Sequence, residues 1–91
     1  MNDINMLAGS LSNDLFRVAS LVQRGSTQAA SRFLKEAKRW SQPLQSGAVS
    51  PYIQNIAQDI LNRDLSDISL ESAEKYLMYG VLLQNFTLHN K

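Results

Sequence analysis

The chain contains no cysteine. A disulfide framework, a thiolate zinc site and a cysteine nucleophile are therefore all excluded. Histidine is scarce too: His89 stands alone near the C-terminal end, with no second imidazole or thiolate to complete a metal site. Only two prolines and four glycines interrupt the chain, and apolar residues make up 44% of it, which argues for a folded globule rather than disorder. No stretch without charge or amide exceeds eight residues, the length of the apolar run 76–83, far short of the ~20 a membrane span requires. Neither glycine-rich phosphate-binding pattern occurs. No nucleophile stands in a pattern with a base and an orienting group. The sequence accordingly implies no catalytic residues, no metal, no cofactor and no small-molecule substrate.

What is present is helical periodicity. Ninety-one residues make one domain, residues 1–91, with 1–9 and 88–91 expected to fray. The expected fold is all-α, a single-domain four-helix bundle with helices at about 10–24, 27–41, 51–63 and 69–87. Ile4, Ala8, Leu11, Leu15, Val18 and Val22 form a heptad-like seam, facing either the core of the bundle or a second copy. Gly9-Ser10 interrupts that seam and suggests the first helix starts near residue 10. Gly25 suits a left-handed helix terminus, and Ser26 is the next N-cap candidate. Ser41 to Ser50 reads as the one real loop, and Ser50-Pro51 as a helix start. Ser69 is the expected cap of the last helix.

The last helix is expected to be the central post. Tyr76-Leu77-Met78-Tyr79-Gly80-Val81-Leu82-Leu83 covers every direction of a helical wheel, and a helix apolar all round is buried on most sides. Expected core residues are Leu11, Leu15, Val18, Val22, Phe33, Leu34, Ala37, Ile53, Ile56, Ile60, Leu70, Leu77, Val81 and Leu83. On this reading Val81→Asp unfolds the domain.

Charge supplies the functional candidates. Net charge is only +1, but residues 17–39 are basic and residues 59–74 acidic. In the second helix Ala29, Ala30, Phe33, Leu34, Ala37 and Trp40 share one face. Arg32, Lys35, Lys38 and Arg39 share the other, and Arg24 continues their row. This basic face is the candidate partner-binding surface, and Trp40, at the helix end, is the candidate interface anchor. The corner at Gly25 resembles a helix-turn-helix in outline, which implies an outward row of Gln28, Ser31, Arg32 and Lys35. Leu21, four residues before the glycine, departs from the small residue that pattern expects.

The expected function is a non-enzymatic helical protein–protein interaction or regulatory module, cytoplasmic, with a protein partner or self-association into a homodimer. The alternative is a small DNA- or RNA-binding module using the basic face of helix two. A sequence pI near 8.1 is lower than the ~9 expected of a nucleic-acid footprint.

Overall fold

A computed structural model of the chain describes residues 4–46 and 49–89. Four helices follow one another: α1 (Ile4–Gln23), α2 (Thr27–Ser41), α3 (Pro51–Asn62) and α4 (Leu70–His89), with a 3-10 turn at Gln42–Leu44 between α2 and α3. The fold is an all-α four-helix bundle.

Consecutive helices run antiparallel. Arg17 lies over the Phe33 ring while Trp40 reaches back to Asp14, which fixes α1 against α2. Tyr52 meets Phe86 edge-on and Tyr79 meets Asp59, which fixes α3 against α4. The corner between α1 and α2 is a Schellman motif. The Ser26 amide donates to the Leu21 carbonyl at 2.8 Å and the Gly25 amide to Val22 at 3.0 Å. Gly25 adopts φ +81°, where a side chain would be strained.

Ser26 and Ser50 occupy N-cap positions, but neither hydroxyl bonds its helix. Ser69 does cap α4, its Oγ accepting from the Ser72 amide at 3.1 Å.

The first helix begins at Ile4, six residues before the expected start. Gly9 sits inside it with open space around its Cα, and Ala8 is fully buried, so residues 4–9 belong to the body of the bundle. The last helix likewise runs to His89 rather than fraying at 88; residues 1–3, 90 and 91, also expected to fray, lie outside the described residues. The loop after α2 is shorter than expected. Ser41 ends α2, as the expected span 27–41 has it, and a 3-10 turn follows; Leu44 is fully buried and Val49 packs on the core. Gly47 and Ala48, also assigned to that loop, lie outside the described residues.

The largest correction concerns which helix is central. It is α1, packed against both α2 and α4. Its seam residues Ala8, Leu11, Leu15, Val18 and Val22 face the core of their own bundle. Leu34, Ala37, Ile53, Ile56, Ile60 and Leu83 join them as expected, while Phe33 is only partly buried. By contrast α4 buries one face: Ala73, Tyr76, Gly80 and Leu83, with Ser72 at its edge. Leu70, Leu77 and Val81, all expected in the core, are exposed. The error has a physical source. A helix that is apolar all round needs neighbours on every side, and three short helices do not supply them.

Gly80 explains the close approach of α1 and α4. A Cβ added there would lie 2.7 Å from the Phe16 ring. Ser12, buried on α1, donates its hydroxyl to the Gly80 carbonyl at 2.7 Å. The missing side chain lets the two backbones come near enough for that bond.

Candidate functional site

The basic face predicted from sequence divides in two. Arg24, Arg32 and Lys35 are exposed and make no ion pair among the described residues. Lys38 is not free. Its ammonium donates to the carbonyls of Ile60 at 3.0 Å and Leu61 at 2.9 Å, and also to that of Arg63. These carbonyls lie at the C-terminal end of α3, where Ile60 also accepts the Arg63 amide at 3.2 Å and a cation complements the helix dipole. Lys38 thus fastens α2 to α3. Arg39 pairs with Glu36 at 2.8 Å and lies 5.7 Å from the Trp40 ring.

Trp40, the candidate anchor, is partly buried and its Nε1 donates to Asp14 Oδ2 at 3.0 Å. Burial pushes the Asp14 carboxyl above its usual range, against the opposing pull of that bond and of Arg17. The indole ties α1 to α2.

The acidic half is also largely engaged in holding the fold. Arg63 grips Asp59 with two parallel bonds, Nε to Oδ1 and Nη2 to Oδ2, both at 3.1 Å. Its Nη1 reaches Asp67 at 2.8 Å, and its guanidinium lies 5.0 Å from the Tyr76 ring. Tyr76 donates to the Asp67 carbonyl at 2.6 Å, Ser72 to the Asp67 carboxylate, and Tyr79 to Asp59. Burial alone would raise the Asp59 carboxyl, but the bonds from Tyr79 and Arg63 and the arginine charge bring it below its usual range. Desolvation and the same hydrogen bond to Asp59 push the Tyr79 phenol up to about 12. This network joins the end of α3 to the start of α4.

The helices expected at about 51–63 and 69–87 leave only a short link between them, with no role assigned to it. The signal available was the spacing Asp59-x-x-x-Arg63-x-x-x-Asp67, which places both carboxylates four residues from one arginine.

What the sequence reading missed as a surface is the outer side of α4. Leu70 is 66% exposed, Leu88 57%, Val81 45% and Leu77 43%, and Met78 and Leu82 are exposed beside them. At 100° per residue these six residues fall on one side, turned nearly opposite to the Tyr76–Gly80–Leu83 face that packs on α1. Six large apolar side chains together in water make a patch on the order of 500 Å², the size associated with interaction sites.

Among the described residues, no helix is long and apolar enough to cross a membrane. The class established is thus an all-α bundle that leaves one helix half uncovered. No protein-family model, curated protein or solved structure matches the chain.

Proposed function

We propose that the protein is a non-enzymatic helical interaction module whose binding element is the outer face of α4. The single observation behind this reading is the uncovered apolar face of Leu70, Leu77, Met78, Val81, Leu82 and Leu88. An apolar surface of that size in water favours association, and a helix face is a common docking element. Three of the polar groups elsewhere are taken up in joining helices: Lys38 joins α2 to α3, Trp40 joins α2 to α1, and Arg63 joins α3 to α4. The absence of cysteine suits a reducing, cytoplasmic setting.

A photo-reactive amino acid at position 81 tests the reading inside cells. It is expected to give adducts of defined mass, while the same group at position 24 on α2 gives none. Adducts from position 24 alone overturn it. They would favour the nucleic-acid alternative, which retains Arg24, Arg32 and Lys35 as exposed cations but loses Lys38 to α3. That alternative requires affinity to fall steeply with salt and to weaken when those three residues become alanine.

A further inference from the structure

The uncovered face of α4 has an internal symmetry. Leu70, Leu77, Val81 and Leu88 are spaced 7, 4, 7. The adjacent row, Glu71, Met78, Leu82 and His89, is also spaced 7, 4, 7. The spacing of each row reads the same from either end, about residue 79 in the first row and residue 80 in the second. A two-fold interface demands this self-complementarity, because each residue must meet its counterpart when one copy is reversed.

We infer that α4 packs antiparallel against α4 of a second copy of this chain. This rests on the interaction-module reading and names its partner. In that arrangement Leu70 faces Leu88 of the second copy and Leu77 faces Val81. On the flank Met78 faces Leu82, and the Glu71 carboxylate faces the His89 imidazole. Between the rows, Glu74 faces Asn85, whose amide can donate to the carboxylate. All of these residues are exposed in the single chain. A parallel pairing instead sets Glu71 and Glu74 beside their own copies, which like-charge repulsion disfavours. Two such faces cover about 1,000 Å² in total, the lower bound for a specific interface. The pairing is therefore of moderate affinity and dependent on concentration.

The absence of cysteine makes the geometry directly testable. Leu70 and Leu88 are about 27 Å apart along the helix. In the antiparallel pair, Leu70→Cys and Leu88→Cys chains, mixed and oxidised, join to each other, while neither joins to itself. In a parallel pair each joins only to itself, which overturns the inference. Sedimentation at about 100 μM is expected to give twice the 10.2 kDa chain mass, and Leu77→Asp or Val81→Asp is expected to return it to one. Because both positions are exposed, these variants keep their circular dichroism. A monomer at that concentration, or a dimer indifferent to both variants, overturns the pairing. If position 81 still yields an adduct with a different protein, the module reading survives the loss of the dimer. If position 81 yields nothing, both fail together.

Discussion

At the scale of single residues, absence of bulk and release from burial decide the outcomes. Gly80→Val drives two methyl groups toward the Phe16 ring and separates α1 from α4. The expected cost is about 1–3 kcal/mol, seen as a lowered thermal midpoint. Phe16→Leu combined with Gly80→Val should recover part of that loss, because the obstacle is the ring itself. Val81→Asp runs the other way. The sequence reading expected it to unfold the chain, but at 45% exposure the new carboxylate reaches water. Its expected effect on the stability of the monomer is within about 0.5 kcal/mol. Lys38→Met removes the ammonium from the carbonyls ending α3. The expected destabilisation is about 1–2 kcal/mol, although a reading of Lys38 as a solvated surface charge predicts none. Chemical denaturation separates the two.

At the scale of elements, the junction of α3 and α4 contributes a dependence on pH at both ends of the range. Asp59 has a lowered pKa in the fold, so its contribution is present above the unfolded carboxylate value of ~3.9 and is lost as pH falls through the folded value. Tyr79 is the opposite case. Its phenol is raised to about 12 in the fold, above ~10 for an unfolded tyrosine. Its contribution is complete below ~10 and is lost as pH climbs from there toward 12. Tyr79→Phe is expected to flatten the alkaline loss and to move the acid loss to higher pH, since Asp59 then keeps only Arg63 and the weaker pull of the Lys75 charge. Unfolding midpoints across both limbs measure this. The same junction shows why part of the candidate site was hidden in the sequence. The Asp59, Arg63 and Asp67 spacing was visible, but Tyr76 and Tyr79 enter the network from another helix, and spacing along one helix cannot report that.

At the scale of the whole molecule, the distribution of apolar surface carries the functional reading. The helices α1, α2 and α3 each direct their apolar stripe inward, and the core they form takes up one face of α4. The outer face of α4 is surplus to that core. A second copy supplies the missing neighbour, and the thermal midpoint of the wild-type chain is then expected to rise with protein concentration, while that of Leu77→Asp does not.

Periodicity and turn chemistry were sufficient for four helices, the corner at Gly25 and most of the inward stripes, because amphipathic pattern and a positive φ are local properties. Composition alone withheld cysteine chemistry. Only the tertiary structure decided that α1 is the inner helix, that Lys38 closes α3 and that α4 is half uncovered. Each of those depends on how many neighbours a helix has and where they lie. An unbroken apolar run states that a helix needs cover on all sides; it does not state whether the cover comes from its own chain.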